Sequence, residues 1–303
     1  MATRANTQRR AATGKTPAAT RGARQGPSGL STYTSHLRNI GHAITIGTTL
    51  PVSWFRGHPK SFGNLTPSVY RIPPTERGGY REFWATERFR LRAGSVGAMV
   101  PRWDDHLRWL LLMQHFGVRT RLLDWSESIL TALYFAVESS PDCAGEVWCI
   151  RPDALNNKSG LFLSSQDRPQ INYLAAEAYS NESDAAKRTK FARDLEISTT
   201  PHYPIAFLPP MEFPRMRAQT SRFTIHPRPE KGNTIEELLE APKEIIRYEI
   251  PANCKPALSR DLAELGVTAE TLFLSLDGLA KTIEAEVYAA DRGEGYPPPP
   301  LFD

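Results

Sequence analysis

The sequence predicts an α+β fold in one main domain, and three observations carry that expectation. Segments with the β-branched and aromatic content of strands are interspersed with segments of helical apolar spacing, without the regular strand-helix-strand rhythm of a doubly wound sheet. The chain has 303 residues, 40% of them hydrophobic, which is enough to bury one large core. No internal repeat imposes a solenoid or propeller.

The first 30 residues contain Arg4, Arg9, Arg10, Lys15, Arg21 and Arg24 and no acid, the composition of a disordered basic tail. Residues 35–46 are weakly helical in pattern. Leu50-Pro51-Val52-Ser53-Trp54-Phe55-Arg56-Gly57 reads as a strand ending at glycine, which leaves Arg56 at a strand end. Residues 81–92 set Phe83, Trp84, Phe89 and Leu91 among charges as an amphipathic helix, broken by Gly94, Gly97 and Pro101. Trp103, Leu107, Leu110 and Leu111 then recur at helical spacing over 103–113, with Gly117 as the stop. Residues 129–137 are nearly all apolar and predict a buried helix, its start capped by Ser126 or Asp124.

Beyond it, Gly145-Glu146-Val147-Trp148-Cys149-Ile150 predicts a strand closed by Pro152. Residues 171–179 and 183–194 read as helices with many charges, so that 155–205 forms a helical insertion or a lid over a site. Residues 206–214 are proline-rich and extended, and strands at 222–226 and 245–250 are stopped by Pro227 and Pro251. Helical spacing returns at 258–265 and 277–288. Residues 289–303, with Pro297-Pro298-Pro299-Pro300, form a proline-rich tail.

The formal net charge is +4, but after the basic tail the chain carries 31 Lys+Arg against 33 Asp+Glu, so the body is not basic. A basic pI therefore says little about nucleic-acid binding by the body, although the tail can touch phosphates weakly. Cys143, Cys149 and Cys254 suit neither a disulfide framework nor a metal knuckle, and predict a reducing, cytoplasmic compartment. No apolar run reaches the roughly 20 residues of a membrane span. No His or Cys pair has metal-ligand spacing, and no Gly-rich phosphate loop is present.

The run Gln114-His115-Phe116-Gly117-Val118-Arg119-Thr120-Arg121-Leu122-Leu123-Asp124-Trp125 crowds polar groups between two apolar helices. His115 is either a general base partnered by Asp124 or a helix-end cation facing the dipole. Asp124 is either that partner or a helix cap. Thr120 and Arg121 suit an anion or a turn with a salt bridge, and Gln114 and Gln219 are site amides or satisfied buried ones. A Ser126, His115 and Asp124 hydrolase has the right residue types but lacks a Gly-x-Ser-x-Gly elbow.

Three segments resemble the FRG domain family: Phe55-Arg56-Gly57 after Trp54; the 114–125 run followed by Ala132-Leu133-Tyr134-Phe135-Ala136; and Arg217-Ala218-Gln219 with Phe223-Thr224 and the 262–279 region. The resemblance spans residues 35–288. The chain is also similar to ADP-ribosyltransferases, which place an aromatic-Arg pair at the end of the first strand, a Ser/Thr-bearing strand before a central helix, and Gln-x-Glu or Glu-x-Glu at a late strand. Phe55-Arg56, then Thr120 with Ser126, then Gln219-Thr220-Ser221 follow that order. At the position of the late Glu this chain has Ser221.

This similarity implies a transferase-like α+β fold of mixed sheets flanked by helices. It also implies NAD as cofactor, held by Phe55, Arg56, Gln114, Thr120 and Arg121, with Arg56, His115, Thr120, Asp124 and Gln219 serving the chemistry. The implied activity is ADP-ribose transfer to a nucleic acid, protein or small acceptor, by a bacterial or phage toxin or a phage-defence effector. The alternative is a non-catalytic nucleotide- or nucleic-acid-sensing module in which the same arginines only hold an anion. A third reading makes the run a buried ion-pair network that specifies the fold.

Overall fold

The computed structural model describes residues 53–73, 81–96, 100–161, 169–180 and 202–288. The readings for 1–30, 35–46, 183–194 and 289–303 lie outside them. Among the described residues the strands are β1 (Trp54–His58), β2 (Leu122–Ser126), β3 (Gly145–Ile150), β4 (Ile205–Phe207), β5 (Ser221–Ile225) and β6 (Ile245–Ile250). They form one sheet of order β4-β5-β2-β1-β3-β6 with every neighbouring pair antiparallel. The fold is α+β with a single antiparallel sheet, in place of the several mixed sheets expected. Only β1–β2 and β4–β5 join neighbouring strands that reverse direction; β2 and β3 point the same way with β1 between them, so the helix that links them crosses over one strand.

The sheet has a seam. β1 registers with β3 from Trp54↔Ile150 to His58↔Glu146, and β2 with β5 from Leu122↔Ile225 to Ser126↔Ser221. β1 and β2 register at Phe55↔Ser126. Past that pair the β1-β3-β6 half and the β4-β5-β2 half lose strand-to-strand pairing, and backbone groups at the seam need other partners.

The helices that position this seam are α1 (Glu82–Ala93), α2 (His106–His115) and α3 (Ile129–Val137). α2 starts three residues later than its apolar pattern suggests, because the Asp105 side chain accepts from the Arg108 N–H at 3.2 Å and Trp103 remains 55% exposed. Its end is a Schellman closure: Gly117 N–H donates to Gln114 O and Val118 N–H to Met113 O, with Gly117 at φ +78°. The 122–126 segment, read as part of a polar link between helices, is instead strand β2. Leu123 and Trp125 enter the core with Trp54, Trp148 and Ile150, while Leu122 enters the opposite core with Leu107, Leu110 and Leu111. Two-residue alternation thus serves two cores. Neither Asp124 nor Ser126 caps α3; Ser128 does, accepting from Thr131 N–H at 3.3 Å.

α3 packs directly on β1 and β3. A Cβ at Gly57 would overlap the Ala132 carbonyl oxygen, and one at Gly145 that of Ala136. Glycine at both positions lets the apolar helix sink onto the sheet, where Phe55, Leu133, Ala136, Val147 and Cys149 form one core. α1 forms where expected with its faces inverted: Glu82, Thr86 and Arg90 are buried, and Phe83, Trp84 and Leu91 are exposed. The physical reason is pairing. Glu82 meets Arg121, and Arg90 reaches Glu87, His106 and the Trp109 ring.

Within 155–205 the described helices are the end of α4 (Pro152–Lys158) and α5 (Pro169–Ser180), and Ala175 and Ala176 are buried beside Ile205 and Phe207. The later described helices are α6 (Pro214–Ala218), α7 (Ile235–Leu238), α8 (Lys255–Glu264), α9 (Ala269–Phe273) and α10 (Leu276–Tyr288).

Candidate functional site

A cleft of about 160 Å³ opens at the seam, walled by Phe55, Arg56, Asp124, Ser126, Phe135, Arg215, Gln219 and Ser221 among others. These residues come from β1, β2, α3, α6 and the start of β5. The antiparallel order brings them together, since the end of β2 and the start of β5 meet at Ser126↔Ser221, beside Phe55.

Arg56 occupies the gap where β1 leaves β2. Its Nη1 donates to the Asp124 carbonyl oxygen at 2.6 Å, replacing the missing strand bond, and lies 3.7 Å from the Asp124 carboxylate. Its Nε donates to His58 Nε2 at 2.9 Å. That contact requires a neutral His58 with its proton on Nδ1, which faces Glu146 Oε2 at 3.8 Å. Glu146 accepts from Trp148 Nε1 at 3.2 Å and pairs with Arg247. Burial and then the Arg56 charge push the His58 pKa down to about 2. His226, buried with Thr224 Oγ1 2.8 Å from its Nε2, is lowered to about 3 by burial and then Arg56. Burial also lowers the Arg56 pKa, with Asp124 opposing it; a guanidinium keeps its charge through such shifts.

A second chain of contacts sets Asp124. Thr120 Oγ1 donates to Gln114 Oε1 at 2.5 Å, and Gln114 Nε2 donates to Asp124 Oδ2 at 2.6 Å. Thr120 itself is fully buried and reaches the cleft only through these partners. The Asp124 carboxylate is 49% exposed, so it keeps lone pairs for a ligand. On the opposite wall, Ser126 Oγ donates to the Gln219 carbonyl at 2.7 Å, and Gln219 Nε2 donates to the Leu272 carbonyl at 3.1 Å. Ser221 is buried at the base of β5.

Of the residues singled out in the sequence, Phe55, Arg56, Asp124 and Gln219 line the cleft, and Gln114 and Thr120 stand behind Asp124. Arg121 does not join them. Its guanidinium pairs with Glu82 and its N–H donates to the same carboxylate at 2.6 Å, so the expected anion contact is replaced by a buried ion pair. His115 is not bonded to Asp124 either; its ring stacks on Phe213 at 4.3 Å, and burial followed by Arg215 lowers its pKa. The hydrolase triad does not assemble, since Asp124 takes Gln114 and Ser126 takes Gln219.

Sequence reading missed Arg215, which lines the cleft, and His58, which orients Arg56. The signal for His58 was present, because it lies two residues after Arg56 on the same face of a strand. Arg215 sits on a helix of five residues with no local motif. Among the described residues no group of three or more His, Cys, Asp or Glu could hold a metal ion, and no helix is long and apolar enough to cross a membrane.

Comparison with curated proteins and with solved structures gives no match. Residues 52–144, which run from β1 to the residue before β3 and include Arg56, Gln114, Thr120 and Asp124 but not Gln219, match the family model of the FRG domain.

Proposed function

We propose that the seam cleft binds NAD and transfers its ADP-ribose to an acceptor, as the resemblance to ADP-ribosyltransferases implies. One observation carries this reading: a residue from each of the three segments of that resemblance lines a single cleft, Phe55 and Arg56 on β1, Ser126 at the end of β2, and Gln219 just before β5 with Ser221 at its start. Arg56 supplies a preorganised cation for a phosphate or ribose oxygen, its guanidinium oriented by His58 and the Asp124 carbonyl. In the reaction the bond from nicotinamide nitrogen to ribose C1′ breaks and nicotinamide leaves neutral with the electron pair. The acceptor bonds to C1′ and gives up its proton. Positive charge on the ribose in the transition state favours a carboxylate at the site. Asp124 is the acid on the cleft wall that meets this need where Ser221 replaces the late Glu.

The acceptor is a nucleic acid, a protein or a small molecule, and the cellular role is that of a toxin or a phage-defence effector. Incubation of the full chain with NAD labelled on the adenylate should release nicotinamide or label an acceptor. Arg56→Ala and Asp124→Asn should lower the rate by about 100-fold or more, the scale of losing one preorganised charge contact. No release and no label across nucleic-acid, protein and small acceptors would sink the reading. Ser221 favours a second reading, nucleotide binding without turnover, in which NAD binds saturably to Arg56 and no product accumulates.

A further inference from the structure

The cleft is too small for a whole dinucleotide. At about 160 Å³ it falls below the ~300–1,000 Å³ of pockets that enclose a drug-sized ligand, so it takes one ring and the rest of a nucleotide must lie outside. Arg215 marks where. It lines the cleft and at the same time places its guanidinium over the Phe273 ring, 4.5 Å from the centroid. Among the described residues no hydrogen bond or ion pair engages that guanidinium, whose pKa burial lowers while the nearby Asp124 and Glu138 carboxylates oppose the fall, so its hydrogen-bond donors remain for an anion. Lys281 Nζ lies 5.6 Å from the same ring.

Phe273 belongs to a half-buried aromatic shelf that begins in the cleft. The Phe135 ring, part of the cleft wall, packs edge-on to Phe273 at 6.0 Å, and Tyr134 meets both, at 5.6 and 6.4 Å. The Gln219 bond to Leu272 ties the α9 residue beside Phe273 to the cleft. A cation with open donors thus adjoins a cluster of half-buried rings, as a diphosphate next to a base requires.

Resting on the reading of the cleft as a nucleotide site, we propose that a nucleoside diphosphate group, the adenosine end of NAD in the first instance, binds with its diphosphate on Arg215 and its base on the shelf around Phe273. The shelf adds affinity that the small cleft cannot supply.

Titration calorimetry with ADP and with inorganic pyrophosphate tests it, on protein whose thermal melt is checked for each variant. Arg215→Ala should weaken both ligands about tenfold or more, with Arg215→Lys recovering part of the loss. Phe273→Leu, which keeps the apolar volume but removes the ring, should weaken ADP about fivefold and leave pyrophosphate within about twofold. ADP that fails to bind the wild type at millimolar concentration, or binds both variants as tightly as the wild type, overturns the proposal. Its failure separates from that of the transferase reading. ADP binding lost in these variants without nicotinamide release from NAD leaves the shelf standing alone, and nicotinamide release unchanged in Arg215→Ala removes the shelf and leaves the transferase.

Discussion

Arg56 joins two roles. It closes the seam by donating to the Asp124 carbonyl, and it presents charge to the cleft. Its orientation depends on a neutral His58, and this has a consequence for pH. The folded pKa values of His58 and His226, about 2 and about 3, lie below the ordinary 6.5. The unfolded chain therefore takes up protons that the folded chain refuses. Stability from this source is complete above pH 6.5 and falls as pH drops below it, by about 1.4 kcal/mol per pH unit for each histidine until the folded values are reached. Urea unfolding between pH 7 and 4 should show this slope, and His226→Gln should reduce it by one proton's worth. Arg56 was legible in the sequence because Phe55-Arg56-Gly57 ends a strand pattern and carries the family resemblance, whereas Arg215 was not. Its neighbours across the cleft come from strands far away in the chain.

At the scale of elements, the longer helices were legible, whereas the short helices α4, α6, α7 and α9 and the strands β2 and β4 were not. Residues 129–137 and 106–115 are apolar at helical spacing, and the packing follows from that. β2 was hidden because Asp124 and Ser126 made its sequence look like a polar link. The strand is recognised only when both faces have partners, Leu123 and Trp125 on one and Leu122 on the other. Arg121 illustrates the same limit: two arginines near a threonine suggested an anion site, yet α1 supplies Glu82 from 39 residues away. Breaking that buried pair with Arg121→Ala should cost about 3–5 kcal/mol in chemical denaturation, with ligand affinity of the remaining folded protein unchanged. Gly57→Ala tests the docking of α3. Its Cβ meets backbone that cannot give way, so the variant should lose several kcal/mol or fail to fold; a melting temperature equal to the wild type would contradict this packing.

The whole molecule depends on contacts that local sequence does not encode. The FRG match at 52–144 contains the Arg56 and Asp124 side of the cleft, and the Gln219, Ser221 and Arg215 wall comes from later in the chain. Buried Lys255 ties the later helix α8 to the FRG-matched stretch, donating to Pro59 O at 2.6 Å, Ser140 O at 2.9 Å and Ser139 O at 3.0 Å. Lys255→Met strands three carbonyls and should cost about 2–4 kcal/mol in urea unfolding. On the proposed reading the two halves of the sheet, parted at Phe55↔Ser126, form an NAD site around Arg56. Calorimetric titration of NAD into the wild-type chain and into Arg56→Ala tests it most directly, with thermal melts confirming that both are folded. Saturable binding by the wild type that disappears in the folded variant is the predicted result, and equal affinity in the two, or none in the wild type, would contradict it.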